Sequence, residues 1–360
     1  AQMAYDTGLR SVQLVEKDIK PSDIMTREAF QNAIVTASAI GASTNAPPHI
    51  IAIAKHLNIN LTLDDWEKWG EEIPLLVNLQ PAGDHLGEGF FQAGGVPVVM
   101  KELSKQNKIN NDVMTVTGKT VADNLANIKK TENEIIKNYE APMKDKAGFL
   151  VLRSNFFDTA IMKMSVVSEE FKKRYLSDNE HPMQFTARAI VFDGPEHYHN
   201  EINNPKLNID ENCILIIRGC GPIGYPGSAE VVNMQPPDHL LKKGISTLPC
   251  LGDGRQSGTS ESASILNVSP EAAAGGKLAI IKNNDLVKVD LIEKRVDVMI
   301  DQSTIDERMQ KIQFKFPANQ TPWQEIARNY VGQLSDGACL NTKEEYFDVS
   351  KTKGVPRDSH

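Results

Sequence analysis

The residues best suited to chemistry lie in one glycine-broken loop, residues 253–260, with the sequence Asp-Gly-Arg-Gln-Ser-Gly-Thr-Ser. Ser257 and Thr259 stand two residues apart, so both hydroxyls can face one small molecule. Glycines at 252, 254 and 258 allow positive φ angles and leave no side chain in the way of a ligand. A turn with hydroxyl caps is the commoner explanation of such a loop when it is taken alone.

Two further segments carry groups that could bind a ligand. Ser43, Thr44 and Asn45 stand shortly before two prolines, where they can cap the following helix or help its N-terminus bind an anion. Glu230 follows a glycine-rich run, and the pattern predicts that it lies in the first turn of a helix beginning near Ser228. On its own, an acid at that place simply complements the positive end of the helix dipole.

The glycine-rich run formally matches a dinucleotide-binding loop. Glycines at 219, 221 and 224 follow a predicted strand with the spacing G-x-G-x-x-G. Pro222 and Pro226, however, each remove an N–H donor that a helix turn needs to hold a pyrophosphate. We therefore reject a nicotinamide dinucleotide as a ligand of this run.

The loop at 253–259, followed by Ser-Pro-Glu-Ala-Ala-Ala-Gly-Gly at 269–276, resembles the C-terminal signature of a known enzyme family. This is the dihydroxy-acid and sugar-acid dehydratase family, iron–sulfur enzymes that include phosphogluconate dehydratase. Gln256 and the single glycine before Thr259 make the loop most similar to the pentonate branch, the arabinonate and xylonate dehydratases. The resemblance extends from about Arg27 to Asp290 and covers several separate motifs.

The resemblance implies a hydro-lyase that removes water from a 2,3-dihydroxy sugar acid, similar to a pentonate, and gives a 2-keto-3-deoxy acid. It implies that Ser257 acts as an alkoxide base at C2, with Thr259 beside it. It also implies that Glu230, in the motif Pro-Gly-x-x-Glu, is a ligand of Mg²⁺, a cation that prefers oxygen. The residues implied for substrate binding are Ser43, Thr44, Asn45 and Arg255.

The same resemblance implies two Lewis acids, Mg²⁺ and an iron–sulfur cluster of the 2Fe-2S type. The family's cluster cysteines lie upstream of the matched region, and the cysteines of this chain are widely spaced without a CxxC pair. We therefore expect a fragment, or one half of a split enzyme, whose partner is the missing N-terminal half. We expect no dehydration by these 360 residues alone. The cysteines are Cys213, Cys220, Cys250 and Cys339.

Two other functions stay open at this point. The chain could be a non-catalytic sugar-acid-binding or assembly fragment, which would bind a pentonate weakly and without any need for Ser257. It could also resemble the dihydroxy-acid dehydratase of branched-chain amino-acid synthesis. The family forms dimers and tetramers, so we expect a homo-oligomer.

Bulk properties limit the partners and the compartment. The net charge of -8 and the ordinary composition give no nucleic-acid footprint, and no apolar run approaches the length of a membrane span. We expect neither a nucleic acid nor a membrane as a partner. The cysteine spacing favours a reducing compartment, and the first residues show no signal-peptide pattern. The prediction is a cytoplasmic protein, although a targeting segment could be missing.

The elements that position these residues are predicted to form an α/β fold in two domains. Residues 1–70 are predicted to be helical, and residues 1–147 are interpreted as the C-terminal part of an α/β cluster-binding domain. Residues 148–313 contain short β-like runs and predict a β-rich, barrel-like domain of the swivelling β/β/α type that carries the catalytic loop. Residues 314–360 form a polar tail.

Three local predictions connect these domains to the site. Ser22 or Thr26 caps the first clear helix, and residues 73–79 form a buried strand. Residues 104–147 are polar and lysine-rich, which predicts a surface connection. The implied chemistry also requires Ser257 and Glu230 to converge on one cavity that faces the first domain.

Overall fold

Residues 2–70 are mainly helical, as predicted. The computed structural model describes residues 2–130, 132–258, 263–316, 318 and 321–341. Its first eight helices are α1 (Gln2–Glu16), α2 (Pro21–Ile24), α3 (Arg27–Ala39), α4 (Ala46–His56), α5 (Leu63–Gly70), α6 (Gly87–Gln92), α7 (Gly95–Lys105) and α8 (Val121–Leu125).

One of the two predicted helix caps is confirmed in this part. The Oγ1 atom of Thr26 accepts a hydrogen bond of 3.3 Å from the N–H of Ala29, and α3 begins at the next residue, Arg27. Ser22 instead lies inside the short helix α2. The extended backbone and short hydroxyl side chain of Thr26 are typical of an N-cap.

The predicted strand at 73–79 forms only isolated bridges, which correct a second prediction. Leu75 pairs with Lys144, and Val77 pairs with Ile136. These bridges draw the segment 104–147 into the core, where Ile136 and Val121 are buried. The prediction of a surface connection was wrong because a few apolar residues among many lysines are enough to pack against α3 and α7.

The second part of the chain contains the strands and the remaining helices. The strands are β1 (Phe149–Leu152), β2 (Thr159–Lys163), β3 (Gln184–Asp193), β4 (Cys213–Arg218), β5 (Cys250–Gly252), β6 (Ser264–Ser269), β7 (Leu286–Asp290) and β8 (Arg295–Val298). The helices are α9 (Glu169–Phe171), α10 (Pro195–Glu201), α11 (Asp238–Leu241), α12 (Gln302–Lys311) and α13 (Pro322–Tyr330). A π-helix spans Lys172–Leu176, and short 3₁₀ turns include Met164–Val166 and Leu334–Asp336.

The eight strands form one sheet in the order β1-β2-β6-β5-β4-β3-β7-β8. The four central strands, from β6 to β3, are parallel to one another, while the outer pairs are antiparallel. Arg153, just after β1, bridges to Arg295 at the start of β8, and its N–H donates to the carbonyl of Lys294 at 2.9 Å. This contact nearly closes the sheet, so the predicted α/β architecture with a barrel-like second part is confirmed.

Side chains on both faces of the central strands are buried. On β4, Ile214 and Ile216 face one apolar cluster, while Leu215 and Ile217 face another that includes Tyr198 of α10. This period-two alternation with burial on both faces is typical of parallel strands. The carboxyl ends of the central strands therefore rest on a rigid base.

The helical part packs against the outer face of β1 and β2. Trp66 of α5 meets Phe149 of β1 edge-on with ring centroids 5.3 Å apart, and Ile34 of α3 lies in the same buried cluster. This packing brings the turn between α3 and α4 next to the loop that follows β5. In the described ranges, every helix is too short or too polar to span a bilayer.

Candidate functional site

The loop at 253–260, predicted to be catalytic and called the catalytic loop below, begins at the carboxyl end of β5, the edge where parallel sheets usually hold ligands. Its first residue, Asp253, is fully buried and accepts hydrogen bonds from the N–H groups of Gly219 (2.9 Å), Cys220 (2.8 Å) and Ala272 (2.9 Å). Burial raises the pKa of the Asp253 carboxyl, whereas these three donors favour its ionised form. Asp253 thereby ties the loop to two neighbouring segments.

The sequence did not single out Asp253. The signal that could have found it is an acid placed between a buried apolar strand and a glycine, because such an acid must find partners inside the fold.

The glycines of the loop serve close packing rather than positive φ angles. Glycines 252, 254 and 258 all lie outside the positive-φ region, so that part of the expectation was wrong. A Cβ atom added to Gly258 would lie 2.9 Å from both Cβ and Oγ of Ser43. The loop and the turn between α3 and α4 are therefore in direct contact at this glycine.

Asn45 connects the two predicted centres of the site. It occupies the N-cap position of α4, yet its side chain makes no capping hydrogen bond. Instead its Nδ2 donates to Oε1 of Glu230 and, at 3.0 Å, to the carbonyl of Gln256. One amide thus joins the Glu230 carboxylate to the peptide unit that precedes Ser257.

Glu230 does not lie in a helix, which corrects the predicted first turn near Ser228. Ser228 has a φ of 49°, and α11 begins only at Asp238. Pro236 and Pro237 disfavour a helix over the preceding residues. The carbonyl of Ser228 instead accepts a 2.7 Å hydrogen bond from Nε of Arg255, which fixes the segment against the catalytic loop.

Arg255 holds three segments together. Besides its bond to Ser228, its Nη1 lies 3.4 Å from Oδ1 of Asn45 and 3.4 Å from Nε2 of His49. The guanidinium therefore orients the Asn45 amide, whose other end bonds Glu230. His49, one turn into α4, is a neighbour of the site that the sequence did not mark.

Ser257 lies in a narrow cavity between the two parts of the protein. The cavity has a volume of about 10 Å³, room for about one water molecule. Ser43, Thr44 and Gly258 line it together with Ser257. The carbonyl of Thr44 accepts a 3.1 Å hydrogen bond from Nδ2 of the buried Asn267, which anchors the turn over β6.

Lys163, the last residue of β2, also lines this cavity. It is only 6% exposed. Burial, and after it the positive charge of Lys144, lowers the pKa of its ammonium group to about 8. The sequence shows only a lysine at the end of an apolar strand, which does not indicate that its side chain lines a cavity. The sequence analysis therefore did not predict Lys163 as a site residue.

The structure brings six of the seven predicted site residues into one cluster. Thr259 lies outside the described residues, so its predicted place beside Ser257 stays a prediction. The other roles also stay predictions, because the positions fix neighbours and not functions. The six clustered residues are Ser43, Thr44, Asn45, Glu230, Arg255 and Ser257.

The donor set at Glu230 suits a hard cation. Its side chain is exposed, one carboxylate oxygen is oriented by Asn45, and Mg²⁺ is commonly held by one or two carboxylates together with water. Glu230 alone is an incomplete site, since the described residues contain no group of three or more His, Cys, Asp or Glu placed to hold a metal ion.

The described cysteines do not fit an iron–sulfur cluster. Cys213, Cys220 and Cys250 are buried on separate parts of the sheet and its loops. Burial raises the pKa of the Cys213 thiol to about 11 and raises that of Cys220 as well, which disfavours the thiolates that such a cluster needs.

Comparison with known proteins follows the same division of the chain. The C-terminal model of the dihydroxy-acid/6-phosphogluconate dehydratase family matches residues 134–338, more than half of the chain, and the N-terminal model matches residues 1–124.

Three relatives show the range of similarity. The D-xylonate dehydratase of Caulobacter vibrioides is 54% identical over 359 residues, which cover 100% of this chain and 60% of the relative. The L-arabinonate dehydratase of Rhizobium leguminosarum bv. trifolii is 39% identical, covering 99% of this chain and 59% of the relative. The dihydroxy-acid dehydratase of Acetivibrio thermocellus is 37% identical, covering 95% of this chain and 59% of the relative. The chain thus spans about three-fifths of the length of these relatives.

Proposed function

Because the chain belongs to the dihydroxy-acid/6-phosphogluconate dehydratase family, we propose that the protein dehydrates a sugar acid. The substrate class is a 2,3-dihydroxy acid similar to a pentonate, and the product is a 2-keto-3-deoxy acid. The chain is 54% identical to a D-xylonate dehydratase and 37% identical to a dihydroxy-acid dehydratase. This difference supports a sugar acid, rather than a branched-chain dihydroxy acid, as the substrate.

The observation that carries this proposal is the Asn45 bridge. It places the carboxylate of Glu230 beside the peptide that leads into Ser257, although the two residues are far apart in the chain. A dehydratase of this type must remove the C2 proton where the substrate's carboxylate is held, so its base and its carboxylate-binding group have to be neighbours.

Ser257 is the base in this proposal. A serine hydroxyl is a poor base in water and must be kept as its alkoxide by nearby positive charge and hydrogen-bond donors. The alkoxide then takes the C2 proton, the C2–H electron pair forms the C2=C3 bond, and the C3 hydroxide leaves and is protonated to water. The resulting enol loses its O–H proton and gains one at C3, which gives the 2-keto-3-deoxy acid.

Glu230 is the residue of this chain that would hold Mg²⁺. When bound, the cation would supply positive charge near the carboxylate and the C2 hydroxyl of the substrate. This charge would withdraw electron density and so make the C2–H more acidic. Asn45 donates to one carboxylate oxygen of Glu230 and so fixes the direction of the other. Arg255 in turn fixes Asn45 through its contact with Oδ1.

Ser43 and Thr44 are proposed to bind hydroxyl groups of the sugar acid. Both line the cavity beside Ser257, and the neighbouring Asn267 holds the turn that carries them. The described cysteines do not fit an iron–sulfur cluster, the Lewis acid that the resemblance implies for the departing C3 hydroxyl. We therefore derive no step through that cluster.

Turnover and binding of a Ser257→Ala variant test the proposed function. The cofactor-loaded protein, supplied with the N-terminal half that the family resemblance implies, is incubated with D-xylonate, L-arabinonate or a branched 2,3-dihydroxy acid, and the 2-keto acid is measured. The same complete enzyme is used in every later test that needs turnover. We expect a pentonate to react, and the variant to lose roughly 10²–10⁴-fold in kcat while its Kd for the substrate stays within a few-fold.

The matched control is Ser11→Ala, which removes an exposed hydroxyl on α1 far from the cavity and should leave turnover unchanged. Wild-type turnover in the Ser257→Ala variant would contradict the role of Ser257. Pentonate binding without any keto acid from the wild type would favour a sugar-acid-binding protein instead.

A further inference from the structure

Lys163 is a buried lysine, and no carboxylate pairs with it among the residues that the structure describes. Its residue is 6% exposed, and no ion pair or side-chain hydrogen bond joins it to another residue in the part of the chain that the structure describes. A buried lysine normally pairs with an acid, because an unpaired charge is costly to desolvate. Among the described residues, Lys163 therefore lines the cavity without a paired acid.

The cavity gives Lys163 its neighbour. Lys163 and Ser257 line the same space of about 10 Å³, and a space of that size holds about one water molecule. No direct hydrogen bond joins these two side chains in the described part of the chain, so a proton that passes between the amine and the hydroxyl has to travel through a water in this cavity.

We propose that Lys163 is the proton acceptor that converts the hydroxyl of Ser257 to the alkoxide, so that the two form a serine–lysine pair. The inference rests on the proposed function, because it explains how the base of that reaction is formed. Serine–lysine pairs are a known way to activate a serine, and the cavity here supplies both partners.

The proton balance of the pair closes over one turnover. The O–H bond of Ser257 breaks and its proton goes to the neutral amine of Lys163, which becomes an ammonium. The alkoxide then takes the C2 proton of the substrate, which restores the serine hydroxyl. The ammonium releases its proton to the departing C3 hydroxide, so one water leaves and Lys163 is again an amine.

The surroundings of Lys163 favour this cycle. Burial and then the charge of Lys144 lower the pKa of the ammonium to about 8, against 10.5 for an ordinary lysine. Lys144 itself donates to the carbonyls of Ser165 and Val167. The strands on either side, β1 and β6, carry no charged residue, and Glu261 lies outside the described residues.

An NMR titration of Lys163 tests the inference without turnover. The cofactor-loaded protein is labelled with ¹³C at the ε-carbon of lysine, and the resonance lost in Lys163→Arg identifies the residue. We expect a midpoint near pH 8, as lowered by burial and by Lys144. A midpoint near 10.5, the ordinary lysine value, would overturn the proposal.

The kinetic test separates proton transfer from simple positive charge. Lys163→Arg keeps a cation but cannot give up its proton at working pH, so we expect kcat at pH 8 to fall by about 100-fold or more with KM within a few-fold. Wild-type kcat should rise as the pH increases through about 8, and this rise should be absent from the pH profile of the variant. An arginine variant with wild-type kcat and an unchanged pH limb would refute the proton-acceptor role.

Lys288→Arg is the matched control, since it changes a lysine on β7 whose ammonium lies 3.5 Å from Asp290, and it should leave the pH profile unchanged. The two proposals fail differently. Loss of turnover in Ser257→Ala together with full turnover in Lys163→Arg sinks only the inference about Lys163. Full turnover in Ser257→Ala sinks the function proposed for the serine.

Discussion

The carboxyl of Glu271 is buried next to the glycine-rich run and binds its backbone. It is 1% exposed and accepts hydrogen bonds from the N–H groups of Ile223 (2.9 Å) and Gly224 (2.8 Å) and from Nε2 of Gln333 (3.0 Å). Burial is the main cause that raises the pKa of Glu271 to about 7, and the nearby Asp253 carboxylate adds to it against the opposing N–H donors. Two buried acids therefore share the space under the catalytic loop.

This raised pKa predicts a pH-dependent stability. The folded state binds a proton on Glu271 more tightly than the unfolded chain does. Protonation of Glu271 therefore stabilises the folded state fully below pH 4.5, and this contribution is lost as the pH rises through about 7. Between these two pH values, Glu271 should lower the free energy of unfolding of the wild type by about 3 kcal/mol. Glu271→Gln cannot titrate, so this part of the pH dependence should be absent in the variant.

Urea unfolding of both proteins at several pH values measures this effect. The difference in the free energy of unfolding between wild type and Glu271→Gln should change steadily between pH 4.5 and 7. A difference that stays constant over this range would show that Glu271 has an ordinary pKa.

At the scale of elements, the contact between the catalytic loop and the turn before α4 depends on Gly258. Gly258→Ala would place a Cβ atom 2.9 Å from Ser43, so the two segments must separate. We expect kcat to fall on the order of 10-fold or more, because a small displacement of a base from its substrate is costly. We also expect a loss of about 1–3 kcal/mol in stability from overpacking.

Steady-state kinetics and thermal unfolding check this prediction against Gly87→Ala. A Cβ atom on Gly87 meets nothing within 4 Å, so the control should behave as wild type. If Gly258→Ala turned over a pentonate at the wild-type rate, the close contact would be irrelevant to catalysis.

The same scale shows which elements the sequence could predict. Thr26 and the start of α3 follow from local chemistry, since an N-cap needs only a short polar side chain before an apolar period. The helix expected at Glu230 and the surface connection at 104–147 failed for the opposite reason. Their conformation depends on distant partners, Arg255 in one case and the bridge from Ile136 to Val77 in the other.

At the scale of the whole molecule, an ion network ties α5 to the barrel-like sheet. Glu67 bonds Nη1 of Arg153 at 3.1 Å and Nζ of Lys294 at 2.7 Å, and Lys294 also bonds Glu71 at 2.6 Å. Burial alone would raise the pKa of Glu67, but the bond from Lys294 and the charges of Arg153 and Lys294 hold it below its ordinary value. Its stabilisation is therefore present above the ordinary carboxyl range and is lost as the pH falls.

Glu67→Gln should weaken the junction between the two parts. The Glu67 side chain is 23% exposed, so we expect a loss of about 1–3 kcal/mol at neutral pH, smaller in high salt. Thermal unfolding at low and high salt measures it. Glu307→Gln, which breaks an exposed pair with Lys311, is the control with little effect. Equal losses in both variants would mean that the network adds nothing beyond a surface ion pair.

The site as a whole was only partly predictable. The convergence of Ser257 and Glu230 could be expected because the implied chemistry requires it, and the Asn45 bridge places them together. The role of Asn45 as that bridge, and the position of Lys163 in the cavity, could not be expected. Both depend on how the helical part packs against β1 and β2, and one sequence does not contain those distances.

The most direct test follows the C2 proton itself. The cofactor-loaded protein is given D-xylonate deuterated at C2, and release of deuterium to solvent is measured by NMR alongside formation of the 2-keto acid. We predict that the wild type releases the C2 deuterium as it forms product, and that Ser257→Ala binds the acid but releases deuterium roughly 10²–10⁴-fold more slowly. Release at the wild-type rate from Ser257→Ala would contradict the assignment of Ser257 as the base.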